Sequence, residues 1–223
     1  MSRFARPWHL LTAAVTIFAI VFQLWLALSG HRTLVTEGQP STRTTLVRFF
    51  SYFTILSNLL VAITTTSLAL GKDRDSRLWR VLRTDAIVGI ALTAIVHWFF
   101  LRPLLDLHGN DYLADKLLHV IVPALAVIGW VVFGPRARIQ RSDLLPSALY
   151  PALYMVWTLI HGAATSWYPY PFTDVGEHGY PVVLLNACGV IALIAALGAV
   201  MLLLDPRLPG VQSSGDGSGS PSR

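Results

Sequence analysis

The chain has 223 residues, of which 54% are hydrophobic and 13% charged, with a mean hydropathy of +0.57. Soluble domains carry about a quarter charged residues, so a soluble globular body is excluded. The net charge of +5 is dispersed over short segments between apolar runs, which argues against nucleic acid as a partner and for basic residues at membrane ends.

Six apolar runs follow one another, each with the ~17–25 residues that a helix needs to cross a hydrocarbon core. The first, residues 8–28, comes after Arg3 and Arg6. It is longer than the ~7–15 residues of a signal-peptide core, so an uncleaved first span is expected. A polar segment, 31–48, contains the turn signal Gly38-Gln39-Pro40. The second run, 49–70, is closed by Gly71 and by Lys72, Arg74, Arg77, Arg80 and Arg83, a cluster suited to anionic lipid headgroups. The third, 84–101, is expected to stop before Pro103, with Asp85 as a solvated cap at its start. Trp98-Phe99-Phe100 suits an interfacial belt, as do Trp8, Trp25, Trp79 and Trp130 near other span ends.

Residues 102–116 form a loop with Asp106, Asp111 and Asp115, and the fourth run, 117–134, ends at Gly134-Pro135. The fifth run is 145–164. The segment 165–181 has no Lys or Arg but holds Trp167-Tyr168-Pro169-Tyr170-Pro171-Phe172, a stiff, greasy stretch that reads as an interfacial anchor or a lid. The sixth run, 182–204, is rich in Ala and Gly, which let membrane helices approach closely. The Ser/Gly-rich residues 208–223 cannot bury a core and are expected to be disordered.

The fold class is therefore all-α, a polytopic six-helix transmembrane bundle over residues 1–207, because irregular backbone cannot face lipid. The ~10-residue alternating strands of a β-barrel are absent from the pattern. Alternate segments divide the Lys and Arg residues twelve to five, and the positive-inside rule then places both termini in the cytoplasm. The single cysteine, Cys188, excludes an intrachain disulfide and a cysteine-based metal cluster.

Polar residues recur at a common depth, a few residues in from the external end of each span: Gln23, Thr54, His97, His119, His161 and Asn186. At 1.5 Å per residue these levels agree within roughly two helical turns. Scattered structural residues need not share a level, whereas a pocket requires it. Thr54 and Asn58 are four apart and share a helix face, as do Asp115 and His119. Asp115 can bond one imidazole nitrogen of His119 and leave the other free as a base. Pro123 lacks the N–H that would have bonded the His119 carbonyl, so that helix is loosened at the histidine.

A Thr hydroxyl becomes a nucleophile when a neighbouring His takes its proton and a third group orients that His. Asn58, His97 or Asn186 could supply donors to the oxyanion. The competing reading is that a Thr in a membrane helix bonds its own backbone, the expectation for Thr64, Thr65 and Thr66. No G-x-S-x-G or H-E-x-x-H occurs, which excludes an α/β-hydrolase elbow and a zincin. Neither a metal nor a cofactor is expected.

The stretches Phe53-Thr54-Ile55-Leu56-Ser57-Asn58-Leu59-Leu60, Leu117-Leu118-His119-Val120-Ile121-Val122-Pro123 and Leu159-Ile160-His161-Gly162-Ala163, with the aromatic-proline segment, resemble a bacterial six-span family called Pr-six-Pr. That family is similar to the eukaryotic androgen-induced and androgen-dependent transmembrane proteins, threonine hydrolases of fatty acid esters of hydroxy fatty acids. The resemblance implies Thr54 as nucleophile, His119 as base, a lipid or fatty-acyl ester ligand, and a bacterial plasma membrane as the location. Two rival readings use the same residues: a b-type haem protein ligated by two of His97, His119 and His161, and a lipid-binding or transport module without chemistry.

Overall fold

The computed structural model describes residues 3–31, 40–135 and 139–208. Among these residues every regular element is helical. Residues 38–39 of the expected turn and the Ser/Gly-rich tail from 209 onward lie outside the described residues.

In chain order, α1 spans Ala5–Leu28, α2 Thr42–Phe50, α3 Phe53–Ala69 and α4 Arg77–Val96. A π-turn at His97–Leu101 and a 3-10 turn at Arg102–Leu104 prolong α4. Helix α5, Gly109–Lys116, passes through a second π-turn, Leu117–Ile121, into α6, Val122–Phe133. Then come α7 (Arg141–Ser147), α8 (Leu149–Thr165) and α9 (Val175–Leu204). Five continuous helical stretches are long and apolar enough to cross a membrane, and a sixth span results if the α2–α3 pair counts as one. Their flanks carry large exposed apolar side chains such as Leu10, Phe18, Leu153, Leu185 and Ile191, which suits surfaces that meet lipid tails.

Packing begins with a closed ring of four: α1 on α3, α3 on α4, α4 on α6, and α6 back on α1. Ala19, Ile55, Val61, Ala86, Ile90, Leu118 and Val122 fill it. Helices α8 and α9 lie outside this ring, with α9 against α4. Threonines inside the helices follow the ordinary pattern. Thr12, Thr16, Thr64, Thr65 and Thr84 each donate to the carbonyl four residues back, which satisfies the hydroxyl without a partner helix.

The expected loop 102–116 is helical from Gly109 onward and runs on into the fourth span, and three further differences from the sequence expectation bear on the site. Helix α4 starts seven residues before Thr84, because Ser76 caps it and the Arg80 guanidinium meets the fully buried Asp143 carboxylate in a fork at 2.8 and 3.2 Å. Asp85 is thereby carried about two turns inside the helix and is buried, not a solvated cap. Trp79 and Trp130 are likewise buried rather than belt residues, the latter donating to Asp205. The helical path does not stop before Pro103 but continues to Leu104, with the proline in the first turn of the 3-10 segment where no N–H is needed.

The third difference is in the second span. It is broken at Ser51-Tyr52, and α2 meets α3 at 69°. Neither Gly nor Pro lies at the break. Ser51 Oγ donates to the Val47 carbonyl and accepts from the Trp157 indole N–H, and the Tyr52 ring packs edge-on against Trp167 and Tyr170. Tertiary contacts turn the chain here, so that α3 begins one residue before Thr54.

Candidate active site

Thr54 sits in the first turn of α3, where backbone N–H groups lack intrahelical acceptors. The carbonyl four residues back, that of Phe50, belongs to α2 on the other side of the 69° break. The hydroxyl points to two other elements: Thr54 Oγ1 is 3.3 Å from His119 Nε2 and 3.2 Å from the Tyr170 hydroxyl. The Thr54 backbone N–H donates to the same Tyr170 oxygen at 3.2 Å. The partial positive charge at the start of α3 is thus directed at the Tyr170 oxygen, which in turn meets the Thr54 hydroxyl that is paired with His119.

His119 lies in the π-turn between α5 and α6, the wide turn that Pro123 makes room for. Its Nδ1 is 3.0 Å from the Asp115 backbone carbonyl and 3.0 Å from Asp115 Oδ1. A carbonyl can only accept, so Nδ1 carries the hydrogen and Nε2 presents its lone pair to Thr54. That fixes the direction of the whole chain. Tyr170 O–H donates to Thr54 Oγ1, Thr54 O–H donates to His119 Nε2, and His119 Nδ1–H donates to Asp115.

His97 occupies the other π-turn and is almost wholly buried. Its ring stacks on that of His119, with centroids 3.9 Å apart and planes 13° from parallel, and its Nε2 lies 3.3 Å from Asp115 Oδ1. Neither imidazole contact with Oδ1 has hydrogen-bond angles, so the carboxylate acts as a buried charge beside two rings. Burial pushes the Tyr170 phenol above its ordinary value, which keeps it a protonated donor.

The other sequence candidates serve neighbouring structure. The Asn58 side-chain N–H groups are taken by the Thr54 carbonyl at 2.8 Å and the Leu118 carbonyl at 3.4 Å. That side chain clips α3 to the π-turn and is not free to meet an oxyanion. Asn186 donates to the Phe172 carbonyl and so holds the aromatic-proline segment. His161 stacks on Trp157 and meets Trp167, the first residue of that segment, edge-on. Gln23 lines the cavity of ≈ 150 Å³ onto which Thr54, His97, Asp115, His119 and Tyr170 open. The residue that sequence reasoning missed is Tyr170. Its signal was the rigid Tyr170-Pro171 step in a segment read only as an anchor or lid.

His97, Asp115 and His119 each offer one ligand atom within 4.8 Å of the others, a spacing that a divalent metal could bridge. Because His119 gives its Nδ1–H to a carbonyl, a metal could take only its Nε2, the nitrogen that faces Thr54. The face-to-face stacking of His97 and His119 does not present two nitrogens to opposite sides of a haem, and His161 packs against Trp157 and Trp167.

The fold and site define an all-helical protein with membrane-length helices and a buried Thr–His–Asp constellation. No family model matches the chain, and no curated protein or solved structure matches it either.

Proposed function

We propose that this chain is a membrane-embedded ester hydrolase with Thr54 as nucleophile, His119 as general base and acid, and Asp115 as the group that orients His119. The observation that carries this reading is the Thr54 Oγ1 to His119 Nε2 contact at 3.3 Å, with Nδ1 held on Asp115 at 3.0 Å. Catalytic hydrogen bonds run long without substrate.

Thr54 Oγ1 attacks the acyl carbonyl carbon while its proton passes to His119 Nε2. The negative oxygen of the tetrahedral intermediate lies at the positive start of α3, where the Tyr170 O–H turns toward it. The intermediate collapses, the C–O bond to the alcohol breaks, and His119 returns the proton to the leaving alkoxide. Water then attacks the acyl-threonine, giving its proton to His119, and the carboxylic acid leaves as Thr54 is restored.

The substrate class is a fatty-acyl ester, of the fatty acid ester of hydroxy fatty acid type that the family resemblance implies. With the α2–α3 pair counted as one span there are six, and the basic-residue distribution then favours both termini in the cytoplasm. This topology opens the site near the outer leaflet of a bacterial plasma membrane. The test is covalent labelling of the purified protein by a fluorophosphonate probe. Thr54→Ala and His119→Ala lose labelling while keeping the wild-type elution volume and helical content; undiminished labelling in both defeats the assignment.

A further inference from the structure

A second cavity, of ≈ 420 Å³, lies between the ring of four helices and the outer pair α8 and α9. Its size falls within the roughly 300–1,000 Å³ of small-molecule sites. Thr54, Tyr170 and Leu101 line both this cavity and the smaller one. The reacting hydroxyl therefore stands at the junction of two chambers of different character. The smaller holds the imidazoles, Asp115 and, at its rim, the His31–Asp111 pair at 3.0 Å. The larger is walled by apolar side chains of α4, α8 and α9, among them Val88, Leu92, Val190 and Ile194.

We infer that the larger cavity is the acyl chamber: one saturated chain lies along α4 with its carbonyl at Thr54, and the alcohol part of the ester occupies the smaller chamber. This deepens the hydrolase reading and rests on it. The chamber's length is legible in the helices. Its lining runs from Val96 to Thr84 on α4, about 18 Å at 1.5 Å per residue. A zigzag of C–C bonds of about 1.5 Å advances about 1.3 Å per carbon, so the chamber takes about fourteen carbons. The far end is marked by Asp85, a buried carboxyl that a longer hydrocarbon would have to desolvate further. The side is open: Ala152, Ile191 and Ala195 line the cavity and are also exposed on the lipid-facing surface. A chain can thus slide in from the bilayer between α8 and α9.

Gly198 lies at the far end, and a Cβ placed there would meet only Leu144 at an ordinary 3.6 Å. Gly198→Phe shortens the chamber from α9. Val88→Phe does so from α4, and Leu203→Phe on the exposed face of α9 is the control. Hydrolysis of 4-nitrophenyl esters from C4 to C16 is measured in detergent for each. Wild type and Leu203→Phe peak near C12–C14. The two chamber variants lose at least tenfold on the C14 ester and stay within twofold on the C4 ester. In parallel, tetradecanoate displaces cis-parinaric acid from Thr54→Ala protein, and adding Gly198→Phe or Val88→Phe weakens that displacement at least tenfold. Should wild type hydrolyse no ester while displacement behaves as stated, the chamber stands and the hydrolase reading falls. A C14 to C4 ratio unchanged in whichever chamber variant folds, or displacement unaffected by it, overturns the chamber.

Discussion

Replacing Tyr170 by Phe isolates one oxygen. The ring stacks on Phe172 at 5.3 Å between centroids and meets Tyr52 edge-on at 5.7 Å, contacts that Phe retains. What disappears is the acceptor for the Thr54 N–H and the donor to Thr54 Oγ1, both at 3.2 Å. Leaving a buried N–H without its partner costs about 1–3 kcal/mol of stability, read as a lower unfolding temperature in detergent. The kinetic effect is separate. Loss of one preorganised donor to an oxyanion costs about 10²–10³ in rate, and the long contacts here point to the lower figure. The donor serves the transition state more than the bound ester, so kcat falls with KM little changed. Steady-state hydrolysis of a 4-nitrophenyl ester reads both parameters. Wild-type rate should also persist through pH 10.0, the ordinary tyrosine value, because burial raises Tyr170 above it. A Tyr170→Phe enzyme with kcat within about threefold of wild type, alongside an inactive Thr54→Ala, would refute the donor role and reduce Tyr170 to packing.

Three other outcomes are expected. Asn58→Leu removes the clip between α3 and the Leu118 carbonyl; it should cost about 1–2 kcal/mol in thermal unfolding and slow probe labelling about tenfold or more as Thr54 drifts from His119. A methyl at Gly162 would overlap the Tyr168 ring. Gly162→Ala is therefore expected to push the aromatic-proline segment away, destabilise by about 1–3 kcal/mol and depress labelling, while Leu153→Ala on the exposed side of the same helix leaves labelling intact. Prolonged chelation should leave the hydrolysis rate unchanged; loss that zinc restores would instead put a metal among His97, Asp115 and His119 and remove the base from His119.

Much of the scaffold is visible in the bare chain, because lipid is a simple solvent for this purpose. A run of about twenty apolar residues has few options but a helix there, and five continuous stretches plus the bent pair have the required length and character. The i, i+4 relation of Asp115 and His119 is also local, since 3.6 residues per turn places both on one face, and their contact is 3.0 Å. Pro123 announces the loosened turn for a similarly local reason, its missing N–H.

What hydropathy could not supply is the break at Ser51-Tyr52. Those residues have no intrinsic breaker; the turn depends on the Trp157 indole and on the aromatic rings around Tyr52, which arrive from over a hundred residues away. The same distance hid Tyr170, whose hydroxyl reaches Thr54 across 116 positions. It also hid the burial of Asp85, which lies inside α4 and lines the cavity together with Ser147 and Tyr150 of α7 and α8. Sequence alone determined where the long apolar helices run and that Asp115 and His119 share a face, because both are set by neighbours along the chain and by the solvent. The tertiary structure decided that Thr54 begins a helix and which side chains face its hydroxyl, because those depend on rings and charges meeting only once the helices pack.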